Sequence, residues 1–147
     1  MKICVAVEIN APIETVFDVF ADIPKAAERV PGIDSLEVLS EVTSGVGLRW
    51  RETRSMFGQE ATEVMEMTGF DPPNSYFVEA ASHGMHYQST YTFEERSGDV
   101  TTVTMEFIGT PVTFVARLFT PMALLFQGAT KRALRQDMID LKAFIES

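Results

Sequence analysis

The sequence predicts an α+β fold: a seven-stranded antiparallel curved sheet wrapped around a long C-terminal helix, with two short helices after the first strand. Three observations predict it. Residues 2–10 alternate strictly, with Ile3, Val5, Val7 and Ile9 pointing one way, the pattern of a half-buried strand. Between residues 34 and 109 further alternating runs follow one another, separated by turn signals rather than by a long helix. From residue 112 onward the apolar positions recur at helical spacing to the end of the chain.

After the first strand, Ala11-Pro12 opens a helix over residues 13–22. Proline suits the first helical turn, where a missing N–H costs nothing, and Glu14 complements the helix dipole. Ile13, Val16, Phe17 and Phe20 make its apolar face. Asp22-Ile23-Pro24 restarts a second short helix through Lys25 to Arg29, which Val30-Pro31-Gly32 ends. The next strands are residues 34–42, 48–57, 59–70, 75–82, 86–95 and 100–109. Turns are expected at Ser44-Gly45-Val46-Gly47, Gly58, Asp71-Pro72-Pro73-Asn74, His83-Gly84 and Ser97-Gly98. Short connections make the strands an antiparallel meander. The last helix is expected over residues 112–145. Leu134, Met138, Leu141 and Ile145 form a stripe on its second half. Its first half, Phe114 to Phe126, is apolar nearly all round, and Pro121 bends it. One helix across a wide, curled sheet leaves part of the concave face unfilled, so a cavity between them is expected.

With 147 residues, the chain reads as one domain large enough for a core without staples. Hydrophobic residues make up 46% and charged residues 22%, an ordinary globular balance. A single cysteine, Cys4, precludes an internal disulfide and a cysteine zinc cluster. A cytoplasmic protein is expected: the N-terminus starts in alternation rather than in an apolar signal run, and no window reaches the ~18 apolar residues of a spanning helix. The net charge of −9 argues against nucleic acid and against anionic membranes. Lys131, Arg132 and Arg135 form the nearest thing to a basic cluster, and late in a long helix they would match its dipole.

Residues 48–67, LRWRETRSMFGQEATEVMEM, read as a hairpin with charges on its more apolar face. A two-residue loop at Gly58-Gln59 would oppose Met56 to Ala61, Arg54 to Glu63, Glu52 to Met65 and Trp50 to Met67. The other face would pair Phe57 with Glu60, Ser55 with Thr62, Thr53 with Val64 and Arg51 with Glu66. The first face should look toward the long helix, which puts Glu52, Arg54 and Glu63 in the cavity or at its mouth. Lone buried charges are costly, so these three should pair, Arg54 being able to grip a carboxylate with two nitrogens. Two readings stand: a wet cross-strand salt bridge, or the polar end of a pocket that orients a carbonyl, hydroxyl or carboxylate of an apolar ligand.

The later strands put Tyr87, Ser89, Tyr91 and Phe93 on one parity, and Val103, Met105 and Phe107 on another. Such residues are usually plain core, but a buried phenol seeks a partner. Trp50, Met65, Tyr87, Tyr91, Phe93, Met105 and Phe107 are therefore candidate ligand contacts beside the charged cluster. Leu118, Met122 and Phe126 join them from the last helix. No cofactor or metal is expected: His83 and His86 lack the further ligands a metal site needs. Neither a nucleophile–histidine–acid signature nor a phosphate loop occurs. The apolar first half of the last helix exceeds one buried stripe, which suggests a gate over the cavity, a homodimer contact or a membrane-touching surface; gate and homodimer fit the net charge better.

Several stretches, in order, resemble one family. They are VAVEINAPIETVFDVFAD from Val5, Val46-Gly47-Leu48-Arg49-Trp50, Asp71-Pro72-Pro73, Tyr91-Thr92-Phe93-Glu94, and DLKAFIE from Asp140. Together they resemble the START-like, Bet v 1-like (SRPBCC) superfamily and, within it, the small proteins of polyketide cyclase/dehydrase type. The resemblance spans the chain and implies a helix-grip fold with a hydrophobic ligand cavity. It does not imply one chemistry, since a shared fold hosts many activities. One expectation is a binder of a small hydrophobic molecule, lipid-, polyketide- or quinone-like, anchored by Arg54 and a carboxylate. Another is an aromatase/cyclase-type enzyme, with Glu52 or Glu63 as base and Arg54, Tyr87 or Tyr91 as donors. A third is an interaction protein such as a lipid-quinone chaperone.

Overall fold

The computed structural model describes every residue of the chain except residues 57, 120 and 122–124, together with the Met56 side chain. β1 (Lys2–Ile9) buries Ile3, Val5 and Ile9 and leaves Cys4 exposed. The meander follows as β2 (Ser35–Val38), β3 (Arg49–Met56), β4 (Gln59–Asp71), β5 (Ser75–Ser82), β6 (Met85–Ser97) and β7 (Val100–Pro111). Among the described residues these make one seven-stranded sheet in the order β1-β7-β6-β5-β4-β3-β2, antiparallel at every step. The first strand thus closes on the last, beside the meander. β2 is shorter than expected because the Ser40 hydroxyl takes over: it accepts from Arg49 N at 2.9 Å and donates to Val42 O at 2.6 Å.

The hairpin turns elsewhere than Gly58-Gln59. Met56 pairs with Gln59, which places Gly58, at φ 75°, inside the loop, where a left-handed residue belongs. Every pair slides by two positions: Trp50 opposes Met65, Glu52 opposes Glu63, and Arg54 opposes Ala61. Because the slide is even, no side chain changes face. The expected Phe57–Glu60 pair lies outside the described residues. Farther along β4 the register shifts again between Met67 and Gly69, where a Cβ on Gly69 would overlap the Phe77 ring.

The helices cover one face. α1 (Ile13–Ala21), a 3-10 turn (Ile23–Lys25) and α2 (Ala26–Arg29) lead into β2. Phe17 and Phe20 of α1 meet Phe93 edge-on at 5.1 and 5.6 Å, forming the aromatic floor of the core. Among the described residues the expected helix over residues 112–145 includes α3 (Phe114–Leu118) and α4 (Gln127–Glu146), interrupted after Leu118, with Pro121 and Leu125 also in helical conformation between them. Pro121 has no N–H to continue a helical ladder. Thr113 caps α3 by accepting from Ala116 N at 3.1 Å. Lys131 and Arg132 lie in the second turn of α4 rather than late in a helix, so the expected match to the dipole at a helix C-terminus does not arise.

α4 is tied to the edge of the sheet. Lys142 Nζ donates to Glu8 O at 2.5 Å, Asn10 N donates to Glu146 Oε2 at 2.8 Å, and Gln127 Nε2 donates to Lys2 O at 3.0 Å. Arg29 stacks on Phe144 at 4.5 Å. Met138 is buried on the sheet-facing stripe, with Leu134, Leu141 and Ile145 packed beside it. Among the described residues no helix is long and apolar enough to cross a membrane.

The turn between β5 and β6 holds α3 in place, and this is testable. Gly84 sits at φ 75°, and a Cβ there would overlap the Thr113 hydroxyl. Gly84→Ala is expected to cost about 1–3 kcal/mol in chemical denaturation. Gly98→Ala, where an added Cβ meets nothing within 4 Å, is expected to change stability by less than about 0.5 kcal/mol.

Candidate functional site

Between the concave face and α4 lies a cavity of about 350 Å³. Strands β3 to β7 contribute alternate residues, as a pleated sheet requires: Trp50, Glu52 and Arg54 from β3, Glu63 and Met65 from β4, Tyr76, Val78 and Ala80 from β5. Tyr87, Ser89 and Tyr91 follow from β6, and Met105 and Phe107 from β7. α4 contributes Thr130, Ala133, Leu134, Asp137, Met138 and Leu141 at helical spacing. Met1, Phe20 and Ile23 close the remaining sides with Ala26, Val30 and Ile33.

Three charges meet on this wall. Arg54 Nε donates to Glu52 Oε2 at 2.7 Å. Its two terminal nitrogens grip Asp137, at 3.0 Å to Oδ1 and 2.8 Å to Oδ2. Glu52 is 8% exposed, while Arg54 and Asp137 are partly buried. The expected direct Arg54–Glu63 pair does not form, because the slide of the hairpin puts Ala61 opposite Arg54. The partner is instead Asp137, which the sequence reading missed. It had a signal: Asp137 interrupts the apolar stripe of α4 just before Met138, as Glu52 and Arg54 interrupt that of β3.

Burial shifts these groups in ways that follow from their neighbours. Asp137 lies above the usual carboxylate range because lost hydration outweighs the help of Arg54. Burial alone would lower the Arg54 pKa, but hydrogen bonds and charge from Asp137 and Glu52 more than offset it, and the guanidinium stays firmly protonated. The Tyr91 phenol is raised by burial and by Asp137 and Glu52, with Arg54 opposing. Burial and then Glu63 raise Tyr87.

Polar atoms without partners stand out in the apolar remainder. The Trp50 indole Nε1 is buried with no hydrogen-bond partner among the described residues. Tyr76 stacks on Tyr91 at 4.6 Å and donates its hydroxyl to Phe20 O at 3.2 Å. Among the described residues the structure shows no corresponding hydrogen bond for the hydroxyls of Tyr87 or Tyr91, which face the cavity. Elsewhere, His86 pairs with Glu79 at 3.0 Å and His83 meets Ser82 at 2.7 Å. Among the described residues no three His, Cys, Asp or Glu side chains converge on a metal position.

Of the residues singled out from the sequence, Trp50, Glu52, Arg54, Glu63, Met65, Tyr87, Tyr91, Met105 and Phe107 line the cavity. Phe93 does not; it is spent in the aromatic floor with Phe17 and Phe20. Leu118 and Phe126 are 62% and 51% exposed and do not line the cavity, Leu118 ending α3 and Phe126 preceding α4 at its start. Met122 lies outside the described residues. The contributions of Asp137, Tyr76, Leu134 and Leu141 were not anticipated.

Two expected outcomes follow from the charged cluster. Arg54→Ala leaves Glu52 and Asp137 without their counterion, at a cost of about 3–5 kcal/mol in urea unfolding. The pH dependence has a definite sign. Folding favours protonated Asp137, so its contribution is complete below the unfolded-state value and is lost as pH rises through the raised folded-state value. Across that window the parent is expected to lose stability relative to Asp137→Asn, measured by denaturation at a series of pH values.

The comparisons with known proteins agree with this architecture. The protein family described as polyketide cyclase/dehydrase and lipid transport matches residues 1–146. No curated protein matches the chain by sequence. A Thermus thermophilus protein is similar in structure, with TM-score 0.81, 18% identity, and coverage of 99% of this chain and 97% of that one. A START superfamily protein from Mycobacterium smegmatis matches with TM-score 0.78 and 14% identity, over 99% and 97% of the two chains. The Zhui aromatase/cyclase of a Streptomyces species matches with TM-score 0.80 and 18% identity, over 99% and 93%. At these identities the structures establish the shared fold. With the family match along its whole length, a helix-grip sheet and a cavity beneath its last helix, the chain belongs to the polyketide cyclase/dehydrase and lipid transport family.

Proposed function

We propose that the protein binds one small, largely apolar, uncharged molecule, lipid-, polyketide- or quinone-like, in the cavity under α4. The observation that carries this reading is the distribution of polar groups on the wall. Arg54 is already held through all three nitrogens by Glu52 and Asp137. Glu63 adds another carboxylate to the same wall. A ligand carboxylate would therefore meet net negative charge and no free cation. The phenols of Tyr87 and Tyr91 instead offer donors to neutral oxygen atoms, while the Trp50 indole N–H is closed off from the cavity. A volume of about 350 Å³ lies within the usual range for small-molecule sites. The anchor is thus a set of donors around a self-satisfied ion cluster, rather than Arg54 itself.

A second reading is favoured by one observation, the raised pKa of Asp137 beside Arg54 and Tyr91. A carboxyl held above its ordinary range is a better proton carrier at neutral pH. In an aromatase/cyclase-type reaction Asp137 would carry the proton and Tyr91 would donate to the developing enolate oxygen. Turnover of a poly-carbonyl substrate, abolished by Asp137→Asn with binding retained, is the outcome this reading expects.

The chain's single tryptophan sits in the wall and reports binding. A neutral naphthoquinone is expected to quench Trp50 and to bind more tightly than a fatty-acid anion of similar size. Preference for the anion would overturn the assignment. Tyr91→Phe is expected to weaken the quinone roughly fivefold, the worth of about 1 kcal/mol of hydrogen bonding. The ligand-free variant should unfold within about 1 kcal/mol of the parent, since it loses a hydroxyl with no protein partner.

A further inference from the structure

We propose that α3 and the start of α4 form a docking surface for an anionic lipid bilayer. Two features coincide there. Phe114, Val115, Leu118, Phe119, Leu125 and Phe126 are between 51% and 82% exposed. A cluster of this kind on a water-facing surface marks an interaction site. The charge in the same region is opposite to that of the molecule. Residues 107–136 contain no Asp or Glu and hold Arg117, Lys131, Arg132 and Arg135, in a chain whose net charge is −9.

Among the described residues, every other Lys or Arg except Arg49 is in an ion pair. Arg117, Lys131, Arg132 and Arg135 are all exposed and, among the described residues, in none. They are available to an anionic surface outside the molecule.

The topology gathers the two segments at one end of the sheet. Val112 N donates to Gly84 O at 2.8 Å where α3 leaves β7, and Gln127 Nε2 donates to Lys2 O at 3.0 Å where α4 begins. Met1, Tyr87 and Thr130 line the cavity at this same end. The docked face would therefore be the one nearest those cavity residues.

An anionic bilayer fits both features, with apolar side chains entering the interface and cations meeting headgroups. The acidic remainder of the surface would be repelled, which fixes orientation. A second copy fits less well, because a two-fold contact sets like patches face to face and brings the cations together.

The test is co-sedimentation with vesicles of phosphatidylcholine alone, or containing about one-third phosphatidylglycerol. Roughly tenfold more protein is expected on the anionic vesicles, falling toward the neutral level at about 0.5 M NaCl. Lys131→Glu/Arg132→Glu and, separately, Leu118→Ser should abolish the gain while the melting temperature and naphthoquinone binding stay as in the parent. Equal binding to both vesicles, or retention by the charge-reversed variant, would overturn the proposal. So would a dimer in sedimentation velocity that Leu118→Ser dissolves, which would assign the face to a second copy.

Discussion

The Arg54 guanidinium spans the gap between sheet and helix. On one side it is held by Glu52 of β3, and on the other by both oxygens of Asp137 on α4. Other hydrogen bonds tie α4 to the β1 edge, through Lys142, Gln127 and Glu146. With an anchor at the edge and a charged clamp across the opening, α4 cannot settle onto the middle of the concave face. The space beneath it persists as the cavity. Buried ion pairs rarely add much stability over a hydrophobic replacement, but they define where two elements meet. That positional role suits a fold that must keep a hole in its core.

The same clamp sets the chemistry of the hole. By consuming the cation, Glu52 and Asp137 leave a wall whose charge is negative and whose spare donors among the described residues are neutral phenols, those of Tyr87 and Tyr91. In the proposed binding reading, the apolar wall would supply most of the contact area and the phenols would orient the ligand. Burial raises the Asp137 carboxyl above its ordinary value despite the neighbouring Arg54.

Outside the cavity, charge is unevenly spread. Four of the twelve Lys and Arg residues, Arg117, Lys131, Arg132 and Arg135, lie in residues 107–136, which hold no Asp or Glu. The same stretch carries the exposed Phe114, Val115, Leu118, Phe119, Leu125 and Phe126.

Local pattern in the sequence determined the strands, the antiparallel order and the face each side chain takes, because alternation and turn residues act over a few positions. The even slide of the hairpin shows how robust faces are: Glu52, Arg54 and Glu63 kept their side of the sheet although every cross-strand partner changed. Most of the cavity wall was legible for the same reason. Partners far apart in sequence were not. Asp137 meets Arg54 across 83 positions, and nothing local to either residue specifies that distance or geometry. Phe93 looked like Tyr91 by parity, yet the placement of α1 made one a floor and the other a wall. Which polar atoms remain unpartnered, and therefore what the cavity can hold, was decided only when sheet and helix closed around them.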